Sequence, residues 1–224
     1  MRKGQIRRDQ FLSVSERLFL TRGYQATSLQ DILDEVGCTK GSFYHHFDSK
    51  FEVLDEIALQ RAQRAFADYQ AAAPEANDIA RLDALLYHAL PLRQAERDFV
   101  AVVLALNQTP EGTLIINRLL VSRRQLFLPE LERVLEALRE QDLVGSASMQ
   151  VVALVWEAFM AFSTNALAQG VNAPDTLLSS LRAARFMWER VLDVPYGSLH
   201  ILPYEELMSV LTYASDKAAA SATA

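Results

Sequence analysis

The chain is poor in cysteine, because Cys38 is the single one among 224 residues. One cysteine excludes an internal disulfide and a metal site built from several thiolates. A redox role would require neighbouring groups that favour the thiolate, and nothing beside Cys38 clearly does so. We therefore interpret Cys38 as a small apolar residue in a turn. The near absence of cysteine also leads us to expect a reducing, cytoplasmic location.

Glycine and proline are scarce as well, with 8 and 7 residues. Long segments rich in alanine, leucine, arginine, glutamate and glutamine dominate instead, and these residues have high helix propensity. Runs of β-branched residues, which favour strands, are few. The sequence therefore predicts an all-α fold of about nine to ten helices.

Motifs typical of enzymes and cofactor sites are missing. The sequence has no glycine-rich phosphate loop, no HExxH and no G-x-S-x-G. His45 and His46 lie close to Asp48, but adjacent side chains on a helix point about 100° apart and do not easily share a metal ion. We predict no enzymatic activity, no cofactor and no metal site.

Acidic residues outnumber basic ones, and the net charge is −6. The excess is uneven: residues 1–25 carry six basic and two acidic residues, whereas residues 51–224 carry 14 basic and 22 acidic ones. A small basic head on an acidic body indicates that only the head meets a polyanion. A first helix that is merely well solvated explains the charge about equally well.

Long apolar runs are limited to one segment, residues 151–168 (VVALVWEAFMAFSTNALA). Its length approaches the ~20 residues that span a bilayer. It contains Glu157 and the polar run 163–165, however, and a central acidic residue opposes membrane insertion. We interpret the segment as a helix buried inside the protein. The basic N-terminus, MRKGQIRRDQ, is not followed by an apolar core, so we expect no secretion signal.

The order of helices in the first third of the chain is distinctive. Apolar residues recur at helical spacing up to Gly23, and a short helix follows, with Thr27 as the expected N-cap, Gln30 as its capping-box partner and Gly37 as its end. After a turn of three residues, Thr39 is expected to cap a second short helix, and a long helix runs on to about residue 73. Two short helices joined by a tight glycine-containing turn are typical of a helix-turn-helix unit. Further helices are predicted at about 78–94, 97–108, 113–142, 147–169, 174–194 and 203–214, with a kink or break at Pro129.

The stretch GCTKGSFYHHF, residues 37–47, lacks any acidic residue. With Phe43 and Phe47 facing inward, its polar side chains lie on the outer face or along the rim of the second short helix. The helix N-terminus favours an anion. Gly41 has no side chain, so the protein backbone can come close to DNA there. Hydroxyl groups commonly bind phosphate oxygens, and lysine can reach a guanine edge. We interpret this face as a surface for DNA.

The run TSLQDILDEVGCTKGSFYHHFDSKFEVL resembles the DNA-binding region of the tetracycline-repressor (TetR) family of bacterial regulators. The TKGSFYHHF helix and the Ser-Lys that follows it match the family pattern, and the detailed resemblance covers roughly residues 8–55. The resemblance implies base or phosphate contacts from Thr27, Ser28, Gln30, Thr39, Lys40, Gly41, Ser42, Tyr44, His45, His46 and Lys50.

The resemblance also implies how the rest of the chain works. It implies a homodimer formed through the helices near 147–169 and 174–194, a small-molecule pocket among the middle helices, and release of DNA when the ligand binds. The apolar character of the candidate lining indicates a hydrophobic or aromatic inducer, and the acidity of the body weakly favours a cation. The candidate lining residues are Tyr69, Tyr87, His88, Phe99, Val103, Asn107, Asn117, Trp156, Phe159 and Asn165.

The predicted division of the chain follows from these features. Residues 1–50 form a helix-turn-helix DNA-binding domain, 51–214 a helical ligand-binding and dimerisation domain, and 215–224 a flexible tail. The predicted function is a ligand-responsive transcriptional regulator that binds a palindromic operator as a dimer. Repression is the leading prediction, and the sequence leaves activation open. A helical metabolite- or lipid-binding protein without a DNA function is the alternative, and it leaves the acid-free face unexplained.

Overall fold

A computed structural model describes residues 3–72, 79–169 and 174–222. These ranges are helical and contain no strand, which confirms the predicted all-α fold. The elements are α1 (Lys3–Arg22), α2 (Leu29–Val36), α3 (Lys40–Tyr44), α4 (Lys50–Ala72), α5 (Ile79–Ala89), a short 3₁₀ helix (Gln94–Glu96), α6 (Arg97–Ala105), α7 (Pro110–Arg139), α8 (Met149–Gln169), α9 (Pro174–Val191) and α10 (Tyr204–Ala222).

The first three helices and the start of α4 enclose a small aromatic core. Phe11 of α1 lies against Phe43 of α3, with ring centroids 5.4 Å apart, and against Phe47, at 6.3 Å. All three side chains are buried. Edge-to-face packing of this kind is a favourable arrangement for aromatic rings. Phe43 and Phe47, which the sequence predicted to face inward, thus hold α3 against α1.

The caps of α2 differ from the prediction by one residue. Ser28, not Thr27, is the N-cap: its hydroxyl accepts from the backbone N–H of Asp31, and the Asp31 carboxylate accepts from the Ser28 N–H. Thr27 cannot cap because its side chain is buried and its hydroxyl donates to the Gly23 carbonyl oxygen at 2.8 Å. The helix ends at Gly37, as predicted, with φ of 69°, a left-handed conformation that glycine adopts without strain.

Helix α4 leaves the head and packs on α5 and α7, so it is the element shared by the head and the body. Helix α10 packs along α6, and α8 packs on α9. The fully buried Trp156 and Trp188 lie on either side of Phe159, with ring centroids 6.4 and 6.0 Å from it. These three rings contribute to the packing between α8 and α9.

Several helix ends in the body depart from the prediction for local reasons. Helix α5 ends at Ala89 rather than near 94, because the residue before Pro91 is disfavoured in a helix. Helix α7 begins at Pro110 with Thr109 as its N-cap, since proline fits the first helical turn. It continues through Pro129 to Arg139 without a break, so the predicted split at Pro129 is wrong.

The C-terminal helix is longer than predicted. The sequence predicted a short helix near 203–214 and a flexible tail from 215, but α10 continues to Ala222. The run after Lys217 is rich in alanine, the best helix former. Lys217 and Tyr213 also bind the Asp98 carboxylate of α6, so the added turns are fixed to the body. Residues 223–224 lie outside the described ranges.

Helix α8 is also the one helix in the described ranges that is long and apolar enough to cross a membrane, with Met149–Leu167 as the candidate window. Half of that window is buried inside the protein. Glu157 lies on its outer face and pairs with Arg124 of α7 at 3.1 Å. A core helix of a globular domain passes the same test of length and composition, and this packing agrees with the interpretation from sequence.

Candidate nucleic-acid interface

Helix α3 presents a polar outer surface that contains no carboxylate. Thr39 caps the helix, and its hydroxyl accepts from the Ser42 N–H at 3.4 Å. Lys40, Gly41 and Tyr44 are exposed, and Tyr44 keeps 54% of its surface accessible although it is aromatic. The surface offers an ammonium group, a phenol and free backbone N–H groups to an anion.

The two histidines at the end of α3 have different environments. His45 is exposed, whereas His46 is half-buried against Phe11, with ring centroids 6.1 Å apart. Burial lowers the pKa of His46, and the nearby His45 and Arg8 lower it further. His46 is therefore a neutral imidazole at pH 7, able to donate or accept one hydrogen bond but not to act as a fixed cation.

Lys50 is held inside the head instead of projecting freely. Its Nζ donates to the carbonyl oxygens of Tyr24 and Thr27, at 2.8 and 2.7 Å. Burial also lowers the pKa of this amine. Thr27 is buried as well. Lys50 and Thr27, which the resemblance predicted to bind phosphate, thus both make contacts inside the head, beneath the surface of α3. Sequence spacing could not separate a lysine directed outward from one that closes a turn.

The start of α2 combines hydroxyl and acidic groups. The Ser28 hydroxyl also donates to the carboxylate of Asp31, and the Gln30 amide donates to Asp34 at 2.7 Å. Both Ser28 and Gln30 are exposed beside these carboxylates. A phosphate at this end must therefore compete with existing side-chain hydrogen bonds. Lys40, Gly41 and Tyr44 of α3 are exposed without such an acidic neighbour on their own helix.

The basic charge of the head is partly neutralised within the chain. Arg17 bonds Glu35 at 2.5 Å, and Arg22 lies 3.6 Å from Asp31. Arg8, a further arginine of α1, pairs with a glutamate of α4 at 3.4 Å. The count of charges in residues 1–25 therefore overstates the free positive charge, because the compensating acids lie on α2 and α4.

The ten candidate ligand-binding residues do not form one site. Eight are buried or half-buried, whereas Asn117 and Asn165 are exposed on the outside of α7 and α8. Tyr87 is engaged by Glu206 of α10 at 2.8 Å, and Asn107 donates to the carbonyl oxygen of Leu167 at 3.5 Å. The buried or half-buried members are Tyr69, Tyr87, His88, Phe99, Val103, Asn107, Trp156 and Phe159.

Two residues of the candidate pocket meet around a polar centre that sequence patterns did not reveal. Tyr69 donates to the buried Glu130 at 3.1 Å, and Arg81 of α5 bonds the same carboxylate at 3.1 Å. The rings of Tyr69 and His88 lie 6.3 Å apart. Burial raises the pKa of Tyr69, so it remains a protonated donor at neutral pH.

A buried ionic cluster connects the head with the body. Arg61 of α4 lies 2.9 Å from Glu16 of α1 through Nε and bonds Glu96 at 2.7 Å through Nη1. The fully buried Arg123 reaches the other oxygen of Glu96 at 3.4 Å, and Arg93 lies 3.6 Å away. Burial opposes ionisation of Glu96, but Arg123 and Arg61 outweigh it and lower its pKa. No periodic pattern in the sequence signals this cluster, because its members lie on four separate segments: α1, α4, residues 93–96 and α7.

Within the described ranges, no group of three or more histidine, cysteine or acidic side chains is arranged to hold a metal ion. Cys38 is half-buried in the turn between α2 and α3.

Known proteins resemble this chain most clearly in its head. Residues 11–57 match the family model for bacterial regulatory proteins of the tetR family. The HTH-type transcriptional repressor KstR2 of Rhodococcus jostii is 36% identical over 97 residues, which are 43% of this chain and 48% of that protein. The KstR2 of Mycolicibacterium smegmatis is 39% identical over 64 residues, 29% of this chain and 31% of that protein. The matches thus span about half or less of these curated relatives.

Solved structures extend the similarity of the fold to most of the chain. A TetR-family regulator from Pectobacterium atrosepticum aligns with a TM-score of 0.58 at 20% identity, covering 86% of this chain and 97% of that one. Salmonella enterica GusR aligns with a TM-score of 0.57 at 18% identity, covering 86% and 98%. The head matches the family model, the curated relatives match the head, and the body has the family's helical fold. The chain therefore belongs to the tetracycline-repressor (TetR) family.

Proposed function

We propose that this chain is a transcriptional repressor that binds a palindromic DNA operator as a homodimer and is released by a small hydrophobic ligand. The observation that carries the proposal is the surface of α3, where Lys40, Gly41 and Tyr44 are exposed on a helix fixed from below by Phe43 and Phe47. A helix with a buried inner side and an accessible polar outer side is suited to the major groove. The relatives that match this head are named as transcriptional repressors.

The alternative of a metabolite- or lipid-binding protein without DNA function gives no reason for this surface. A regulatory role also supports the absence of catalysis, because the curated relatives are regulators rather than enzymes. Their bacterial regulatory role supports a cytoplasmic location.

The homodimer is supported by an apolar outer surface on α8 and α9. Leu154 is 70% exposed and Phe186 is 51% exposed, a costly arrangement for large apolar side chains in water. Small exposed residues lie beside them, including Ala158 and Ala161 on α8 and Ala183 on α9. Small residues permit close helix crossing, so α8 and α9 of two copies would form a four-helix bundle.

The ligand response is supported by buried donors in the body. The indole Nε1 of Trp156 and the hydroxyl of Ser163 are buried and make no hydrogen bond within the described part of the chain. Buried donors are normally bonded, so a ligand acceptor that reached them from among the apolar side chains would gain directed contacts. Phe159 lies beside Trp156 and would supply apolar area.

The ionic cluster around Arg61 supplies a route by which the body would affect the head. Arg61 binds a head carboxylate, Glu16, and a body carboxylate, Glu96, with one guanidinium group. A shift of Glu96 would therefore move Arg61 and change its ion pair with Glu16 of α1. Such a shared element, whose position both sites bias, is what coupling between a ligand and DNA requires.

Fluorescence anisotropy tests the proposal directly. The full-length protein is titrated onto labelled DNA from upstream of its own gene, with a scrambled duplex as competitor and salt as a variable. Saturable binding that resists the competitor and weakens steeply with salt is the expected result. Absence of binding at low salt would overturn the assignment and favour the metabolite-binding alternative.

A further inference from the structure

We propose a second small-molecule site, specific for amphiphilic anions, between α9 and the segment that connects α9 to α10. A cavity of about 470 Å³ lies there, within the size range of pockets that bind drug-sized ligands. It lies apart from the ten candidate ligand-binding residues of the body. Its walls combine leucine and proline side chains with three basic residues and two tyrosines: Leu178, Leu181, Arg182, Arg185, Tyr196, His200, Leu202, Pro203 and Tyr204.

The acidic groups near this cavity hold its frame. Glu189 is buried and accepts the backbone N–H groups of Gly197 and Leu199, at 2.9 and 3.2 Å. Asp83 of α5 accepts those of His200 and Ile201, at 2.9 and 2.7 Å. Each carboxylate thus binds two backbone donors of the connecting segment and fixes its course.

Among the basic groups, His200 lies 3.4 Å from Asp83 through its Nδ1, whereas the two arginines are less fully used. Arg182 is exposed at the cavity, and within the described ranges it has no ion-pair or hydrogen-bond partner. The buried Nε of Arg185 faces Glu189 Oε1 at 3.8 Å, an ion pair that is too long for a hydrogen bond. A second guanidinium nitrogen of Arg185 donates to the Tyr196 hydroxyl at 3.4 Å. Within the described ranges, Arg182 is therefore the arginine of the cavity that lacks an ionic partner, and a carboxylate or phosphate would pair with it.

The apolar part of the cavity wall determines which group the ligand carries besides its acid. Leu178 and Leu181 on α9 face Leu202 and Pro203 of the connecting segment across the cavity. These side chains favour an alkyl or aromatic portion, since burying apolar area against them is stabilising. The ligand class is therefore an acid with an apolar chain. Phe186 lies four residues after Arg182 on α9, so these two side chains are neighbours on the helix surface and the cavity lies beside the apolar outer face of α9.

Isothermal titration calorimetry of the full-length protein with decanoate tests this site without DNA. Decanol and decyltrimethylammonium carry the same chain with a neutral and a cationic head, and we expect both to bind at least tenfold more weakly than decanoate. Arg182→Gln should weaken decanoate binding about tenfold. Arg190→Gln, an exposed arginine of the same helix outside the cavity, should bind like the wild type.

A filling variant, Leu178→Trp, separates this cavity from any other place where decanoate binds. It should abolish the binding component that Arg182→Gln weakens, with the folded state verified by thermal unfolding. Equal affinity of the wild type and Arg182→Gln, equal affinity for the cationic probe, or no binding of decanoate would each overturn the proposal. Because no readout involves DNA, these results are independent of the operator experiment.

Discussion

Lys50 donates a hydrogen bond of 2.7 Å from its Nζ to the carbonyl oxygen of Thr27. The same nitrogen donates to Tyr24 and lies 4.1 Å from the centroid of the Tyr24 ring. The first residue of α4 therefore closes the turn between α1 and α2. Because that turn positions α2 and, through it, α3, Lys50 supports the interface from behind.

We expect Lys50→Met to lower the free energy of unfolding by about 2 kcal/mol, because two backbone carbonyls lose a charged donor. Methionine retains much of the apolar stem, so the change isolates the amine. Urea denaturation measures the effect. Lys40→Met is the matched control on the exposed surface of α3 and should change stability by less than about 0.5 kcal/mol. Equal stability of the two variants would show that the Lys50 bonds contribute nothing.

We expect Tyr44→Phe to weaken DNA binding about three- to tenfold, on the operator and on scrambled DNA alike. The phenol is exposed at the end of α3, and a hydrogen bond to phosphate carries no sequence information. Anisotropy titrations on both duplexes measure the change. Tyr196→Phe, an exposed tyrosine far along the chain, serves as the control and should bind DNA like the wild type. Loss of affinity for the operator alone would assign Tyr44 to base recognition instead.

The fold and the inner side of the site were predictable, because they depend on local patterns. Phe43 and Phe47 are four residues apart and therefore face the same side, and a glycine at position 37 favours the left-handed conformation that ends α2. Spacing along the sequence was therefore enough to predict the course of α2 and α3. The direction of Lys50 and the burial of Thr27 were not predictable, since both depend on carbonyl groups brought close by folding.

The body was less predictable for the same physical reason. Arg123 looks like an ordinary basic residue of a charged helix, yet it is fully buried against Glu96. Its partner lies 27 residues away, and no periodicity encodes that contact. Asn117 and Asn165 were expected inside a pocket, but their helices turn them outward.

We expect Arg61→Gln to destabilise the protein by about 1.5–3 kcal/mol, because it removes one charged hydrogen-bond partner of a buried carboxylate that keeps Arg123. The pKa of Glu96 is lower in the folded protein than its ordinary value. The stability due to Glu96 is therefore present above the unfolded-state pKa and is lost as the pH falls through the folded-state pKa. Removing Arg61 raises that folded pKa, so acid destabilisation should begin at a higher pH.

Urea unfolding between pH 7 and pH 3 measures both effects. Arg64→Gln is the control: Arg64 binds the same Glu16 at 2.7 Å, but its side chain is 54% exposed. An exposed pair contributes about 0–1 kcal/mol, so its acid profile should follow that of the wild type. Identical pH profiles for the two variants would mean that Arg61 does not set the ionisation of Glu96.

We expect Leu154→Glu to convert the proposed dimer into a monomer, because a carboxylate would lie in the proposed apolar contact between α8 and α9 of two copies. Operator affinity should then fall about a hundredfold, since the two heads no longer bind as a linked pair. Light scattering after gel filtration measures the mass. Leu143→Glu alters an apolar residue that is 42% exposed outside these helices and should leave the dimer intact. A Leu154→Glu dimer would place the interface elsewhere.

We expect Gly41→Ala to stabilise the head by up to about 1 kcal/mol while weakening operator binding at least tenfold. A Cβ at Gly41 meets no atom of the chain closer than 3.9 Å, and alanine is the better helix former. A methyl group on the exposed side of α3 would, however, hold the backbone away from DNA. Gly112→Ala provides the contrast, because its Cβ would lie 2.0 Å from the Leu106 carbonyl oxygen and should destabilise the fold. Thermal unfolding and anisotropy separate the two effects, and unchanged operator affinity of Gly41→Ala would mean that DNA does not approach this turn of α3.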